Sequence, residues 1–202
     1  MANQPHIAEV DEIRALQERF HDGDVEAFRR LVEPHLDNVF TLCLRMTSNR
    51  ALAEDMAQDA LARALTKHTH YRPGRPVRPW LLTIAANLCR SHLRSPWWKR
   101  WNPLSGREEE QFYEDPQTLS ETLDRDEKIR HALSNLDDKY REAISLFFLQ
   151  DMSYAEMAEI TGVSVPALKQ RVRRGGPLLR KQIERLYPGL VLNRKGNKEG
   201  PG

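Results

Sequence analysis

Cysteine and aromatic residues are scarce: two cysteines, Cys43 and Cys89, and 7% aromatic side chains in 202 residues. Two thiols far apart, each inside an apolar helical pattern, read as buried, reduced groups rather than a disulfide framework. No stretch approaches the roughly 18–20 apolar residues of a membrane span, so membrane insertion is not expected. Residues Met1 to Ala15 carry acids and no apolar run, which does not fit a secretory signal and leads us to expect a cytoplasmic protein. A glycine-rich phosphate loop and a nucleophile elbow are both missing. His68-Thr69-His70 is the one tempting ligand pair, and no cysteine or carboxylate cluster accompanies it. We therefore expect no metal site, no cofactor and no catalytic residue. No segment of useful length alternates with the two-residue period of a strand.

What is present is charge, at 30% of residues, and it is segregated. Residues 66–101 hold Lys67, Arg72, Arg75, Arg78, Arg90, Arg94, Lys99 and Arg100 and no acid. Residues 107–127 hold nine acids against Arg107 and Arg125, and residues 165–185 hold seven Lys or Arg against Glu184. Two basic blocks around an acidic spacer suggest two contacts with a polyanion. The expected fold is all-α: two small helical domains joined by a flexible acidic linker, the second a helix-turn-helix.

Along the chain, residues 1–10 look frayed and helical periodicity runs from Asp11 to about Thr47. Val25, Phe28, Val32, Leu36, Val39, Cys43 and Met46 recur at helical steps. Gly23-Asp24 marks a break and restart, and Pro34, lacking an amide hydrogen, predicts a kink or interruption. Ser48-Asn49 caps a helix over roughly 50–68 with a stripe of Leu52, Met56, Ala60 and Ala64. Asp55, Gln58 and Asp59 lie on its opposite side. The turn formers Tyr71 to Pro76 precede a helix from about Pro79 to Arg94, with Trp80, Leu81, Ile84, Ala85, Leu88 and Leu93 inward. Residues 96–118 read as linker. Helix resumes near Leu119, and another runs from about Asp138 to Gln150 with Tyr140, Ile144, Phe147 and Phe148 on its core side. The segment 187–202, with four glycines, reads as disordered.

Met152 to Arg174 carries the strongest local signal. Ser153-Tyr154-Ala155-Glu156 is a capping box, Ala158 precedes Gly162 by four residues, and Ser164 and Pro166 begin a second helix. That helix exposes Lys169, Gln170, Arg171, Arg173 and Arg174. Arginine can grip guanine bidentately, Gln can pair with adenine, and the remaining cations can hold phosphates. In the first basic block, aromatics sit among cations, a composition suited to unstacked bases. Trp80, which begins an apolar helical stripe, fits the core better, and Trp97, Trp98 and Trp101 fit a clamp on the first domain as well as DNA contact.

Gly23-Asp24 with Ala27-Phe28, then Ala53 to Asp59, then Trp80 to Leu88, then the helix-turn-helix follow in order. The pattern resembles the extracytoplasmic-function branch of bacterial RNA polymerase sigma factors, over roughly residues 11–95 and 119–182. The resemblance implies a sigma region 2 at 11–95, a linker at 96–118 and a sigma region 4 at 119–186. It implies that Asp55, Gln58 and Asp59 dock on core RNA polymerase. Arg72, Arg75, Arg78, Trp80, Asn87, Arg90 and Arg94 would take the minus-ten element, with Asn87 at an extruded base. Ser164, Lys169, Gln170, Arg171, Arg173 and Arg174 would read the minus-thirty-five duplex. Promoter DNA, both duplex and melted, core polymerase and an anti-sigma factor are the implied partners. Ala86 and Ser91 depart from the family's usual Arg and Asp, and Gly175-Gly176-Pro177 interrupts its usual Ala-Arg continuation. Glycine costs about 1 kcal/mol and proline about 3 kcal/mol inside a helix, so the recognition helix is expected to end or kink near Arg174. The competing reading is a stand-alone helix-turn-helix regulator, which would bind duplex tightly without polymerase.

Overall fold

The computed structural model describes residues 7–95 and 125–190, with side chains from Asp11 onward and Leu149 excepted. Every regular element among them is helical. The expected linker, the tryptophans at 97, 98 and 101, and the helical onset near Leu119 lie outside the described residues.

The first module contains α1 (Ile7–His21), α2 (Val25–Val32), α3 (Leu36–Thr47), α4 (Arg50–Thr66) and α5 (Val77–Arg94). Helix α1 starts before Asp11, so part of the stretch expected to fray is helical. The break after it is built by Gly23, at φ +94°, where any side chain would be strained. Asp24 then accepts from the amides of Glu26 and Ala27 and so caps α2. Those amides, joined by the Arg19 guanidinium, hold its carboxyl below the usual range. Pro34 sits in a 3-10 turn, Glu33–His35, that separates α2 from α3. Phe28, Val32, Val39, Cys43 and Met46 are buried as expected, but Val25 (61% exposed) and Leu36 (40%), the first residues of α2 and α3, are not. Helix α4 is N-capped by the Asn49 side chain at 3.0 Å from the Leu52 amide. Its buried stripe is Ala53, Ala57, Ala60 and Ala64, with Leu52 and Met56 half-buried beside it. A stripe of alanines lets α3 and α5 approach α4 closely, because little side-chain volume separates the helix axes.

The second module contains α6 (Arg125–Ser134), α7 (Asp138–Ile144), α8 (Tyr154–Thr161) and α9 (Val165–Leu186). After Ile144 the α7 backbone widens into π-helical turns over Ser145–Leu149. The widening rotates the following side chains. Phe147 packs into the core against Tyr154, whereas Phe148, expected inside, is 47% exposed. Half-buried Arg141 gathers the carbonyls of Leu133, Ser134 and Leu136 and so closes the end of α6.

Helix α9 does not end near Arg174, one of the two outcomes expected: it continues through Gly175, Gly176 and Pro177 to Leu186. A Cβ at Gly175 would lie 3.0 Å from Ile144 Cγ1 and 3.4 Å from Tyr140 Cβ, so the missing side chain lets α9 press onto α7. Burial of Leu168, Val172, Gly175 and Ile183 on α9 outweighs the poor local propensity.

The two modules are packed on each other. One apolar core runs from Phe20 and Leu42 through Leu82 and Cys89 to Leu146, Met157 and Ile160. Helix α8 lies against α5, and α6 and α7 touch α3.

Candidate nucleic-acid and polymerase interfaces

The loop before α5 is held from beneath. Phe20, Tyr71 and Trp80 form an aromatic cluster with centroids 5.1–5.8 Å apart. Tyr71 is buried, which pushes its phenol up to about 12, and its hydroxyl donates to the Arg75 carbonyl. Gln17, from α1, donates to the same carbonyl at 3.3 Å and accepts from the Gly74 amide at 2.7 Å. His21 Nδ1 meets the Tyr71 carbonyl and His68 Nδ1 meets the His21 carbonyl. These contacts fix a turn that carries exposed Arg72 and Arg75 outward. They also give His68 a backbone partner at 2.8 Å. Gln17 was not singled out by sequence; the available signal was a polar residue on the buried side of an amphipathic helix.

Along α5, Asn87 and Arg94 are exposed, and Trp80, half-buried, belongs to the aromatic core. Arg78 and Arg90 are engaged across the modules. Arg78 donates to the Gln150 carbonyl and, at 3.2 Å, to its side-chain oxygen. Arg90 donates to the carbonyls of Thr161 (3.0 Å) and Ile160 (3.1 Å) and to Asn87 Oδ1 (2.6 Å). Its Nε lies 3.4 Å from buried Glu142 Oε1. Burial pushes the Glu142 carboxyl up, with Arg90, Arg171 and Arg94 opposing that rise.

On α4, Asp55 and Gln58 are exposed and Asp59 is partly so, paired with Arg63 at 3.1 Å. They share the face opposite the alanine stripe, away from the α5 and second-module contacts.

The helix-turn-helix is α8 and α9. The capping box is present: Ser153 N donates to Glu156 Oε2 at 2.8 Å, and Glu156 N donates to Ser153 Oγ at 3.3 Å. Gly162 takes φ +68°, and its amide donates to the Ala158 carbonyl at 2.9 Å. Ser164 occupies the N-cap position of α9, but its side chain makes no capping bond, contrary to expectation. Ser164 borders an open concavity with Pro166, Ala167, Lys169, Gln170 and Arg173. Lys169 rests over the Tyr154 ring at 5.9 Å. Arg173 and Arg174 are exposed, while half-buried Arg171 turns to a crevice with Arg90, Arg94 and Glu142. Four of the six residues expected on the reading face thus converge on one concave surface, and Arg171 points elsewhere.

The two modules coincide with two family models. Sigma-70 region 2 matches residues 31–99, and Sigma-70, region 4 matches residues 126–175. Over 81% of the chain, it is 32% identical to the ECF RNA polymerase sigma factor SigW of Bacillus subtilis (strain 168), covering 92% of that protein. This chain belongs to the ECF sigma factors of bacterial RNA polymerase. It is also 33% identical to the RNA polymerase sigma factor CarQ of Myxococcus xanthus, over 84% of this chain and 96% of that one. Among solved structures it is similar to the sigma factor RpoE of Bartonella quintana in complex with the anti-sigma factor NepR. That likeness has a TM-score of 0.65 and 27% identity, covering 79% of this chain and 98% of the other. As a sigma factor the chain serves RNA polymerase in transcription and binds promoter DNA; its matched regions contain α3–α5 and α6–α8 with the first half of α9. Among the described residues no helix is long and apolar enough to cross a membrane.

Proposed function

We propose that this ECF sigma factor docks on core polymerase through Asp55, Gln58 and Asp59 and opens promoter DNA with the loop 71–76 and α5. It reads the minus-thirty-five duplex with the concave face of α9. Asn87, exposed midway along α5, holds the extruded minus-ten base, and the cations at 72, 75, 78, 90 and 94 hold its phosphates. The observation that carries the reading is the concave surface at the start of α9. There Ser164, Lys169, Gln170 and Arg173 surround an opening on a helix of major-groove width. The domain limits 11–95 and 119–186 belong to this proposal, as does a cytoplasmic place of work. An anti-sigma factor is the expected regulator, since RpoE of Bartonella quintana is held by one.

The test is reconstitution with core polymerase and a panel of promoters. The full chain should yield promoter-specific transcripts. Asp55→Lys with Gln58→Lys should abolish polymerase binding while duplex affinity of the chain stays intact. Tight duplex binding with no transcript from any promoter would favour a stand-alone regulator and overturn the proposal.

A further inference from the structure

The match to the region 4 family model ends at residue 175, but α9 continues to Leu186. At 1.5 Å per residue the whole helix is about 33 Å long. Its two halves share one inward stripe: Leu168, Val172, Gly175, Leu179 and Ile183 recur at three- and four-residue steps. The second half is anchored by α6 and α7. Leu179 packs against Leu133, Leu136 and Ile144, and Ile183 is buried. Just past the helix, the Tyr187 hydroxyl lies 2.6 Å from His131 Nδ1 on α6, and Lys128 Nζ rests over its ring at 5.8 Å. The outward face is also continuous. Arg180 and Lys181 are exposed and follow exposed Arg173 and Arg174 at a spacing of seven residues, just under two turns. Residues 175–179 between the two pairs carry no charge. Arg185 is in the last turn, where a cation meets the negative end of the helix dipole; Arg180 and Lys181 lie further back. Exposed Glu184, one turn beyond Arg180, ends the basic face.

We infer that Arg180 and Lys181 form a second duplex contact, holding backbone phosphates beside the base pairs that the first half of α9 reads. The inference rests on the reading of α9 as the minus-thirty-five helix. Seven residues of helix advance about 10 Å, and the major groove is about 12 Å wide between its phosphate walls. With Gln170 and Arg173 at base edges inside the groove, cations one such step further along the same face have left the bases and reached a bordering strand. Phosphates are the same at every base pair, so this contact adds affinity and fixes the helix's position but adds no sequence preference. The uncharged turn at 175–179 separates the two roles: reading before it, anchoring after it. Packing on α6 and α7 holds the anchor at a fixed distance from the reader.

The test is the salt dependence of binding between the full chain and a random-sequence DNA duplex, followed by fluorescence anisotropy. Each phosphate contact on B-DNA contributes about 0.9 to the slope of log affinity on log salt, so Arg180→Ala with Lys181→Ala should make it shallower by about 1.8. Between about 50 mM and about 200 mM salt the wild-type chain should then lose about 12-fold more affinity than the variant. Circular dichroism should show unchanged helical content, because both side chains are exposed. Arg180→Lys with Lys181→Arg keeps both charges and should keep the wild-type slope; a loss there would mark a structural role and overturn the inference. An unchanged slope in the alanine variant would overturn it as well. If that variant instead weakens a pull-down of core polymerase at unchanged slope, the face serves an acidic protein surface and the inference is overturned. Failure of the minus-thirty-five reading itself is distinguishable: Lys169→Ala with Arg173→Ala would then leave the slope unchanged, whatever the second pair does. No measurable binding of the wild-type chain at low salt would overturn both.

Discussion

Two adjacent glycines in α9 should respond oppositely to the same change. At Gly176 a Cβ would meet nothing within 4 Å. Gly176→Ala should therefore collect the whole helix-propensity gain, about 1 kcal/mol. At Gly175 the same Cβ would sit 3.0 Å and 3.2 Å from Ile144 Cγ1 and Cδ1 and 3.4 Å from Tyr140 Cβ. Ile144 is 1% exposed, and a β-branched side chain on a helix is stiff at χ1, so it cannot swing aside. Overpacking of this kind costs about 1–3 kcal/mol. Set against the same propensity gain, Gly175→Ala should be neutral or destabilising by up to about 2 kcal/mol. The two variants should then differ by about 1–3 kcal/mol, the size of the packing term. At about 2–4 °C per kcal/mol for a chain of this size, that is several degrees between their melting temperatures. Thermal unfolding followed by circular dichroism, backed by urea titration, measures it. If Gly175→Ala stabilises as much as Gly176→Ala, α9 does not press on α7 as described. If Gly176→Ala gains nothing, the helix is not continuous through 175–177.

Three further outcomes follow from local geometry. Pro177, exposed inside α9, leaves the Arg173 carbonyl without its amide donor, so Pro177→Ala should raise stability by about 1–2 kcal/mol, less than the full proline cost of about 3 because the unfolded chain regains freedom; a loss in urea unfolding would show that the proline is required. Ser153→Ala removes the capping box and should cost about 1 kcal/mol, while polymerase binding by the first module stays unchanged in a pull-down. Glu142 has its carboxyl raised above 4.5 by burial, so the folded state holds its proton more tightly than the unfolded chain does. Its contribution to stability is therefore greatest below pH 4.5 and declines as pH rises through the folded value. Glu142→Gln should remove that decline, read as the difference in urea midpoints at pH 4.5 and 7.5; an unchanged difference would show that Glu142 is not the titrating group.

The sequence alone determined the elements and their local signals. Periodicity, Gly23-Asp24, Asn49 and the capping box at Ser153 are contacts between residues a few positions apart, so spacing suffices to see them. The same holds for the acidic face of α4, because three residues within one helical turn must share a side. Family membership was legible for the same reason: its motifs are short and ordered. What only the tertiary structure decided involves partners distant in the chain. Propensity argued for a break at Gly175-Gly176-Pro177, and a close approach by Ile144, 31 residues earlier, keeps the helix whole. Val25, Leu36 and Phe148 fit a helical stripe on paper but are exposed: Val25 and Leu36 are the first residues of α2 and α3, and the π-helical widening after Ile144 turns Phe148 outward. Gln17 supports the loop 71–76 from 57 residues away, at Gly74. The basic block at residues 66–101 looked uniform in charge, yet Arg72 and Arg75 face solvent while Arg78 and Arg90 close on the other module. Charge is a property of a residue and can be counted from sequence; the partner it meets depends on how the modules pack.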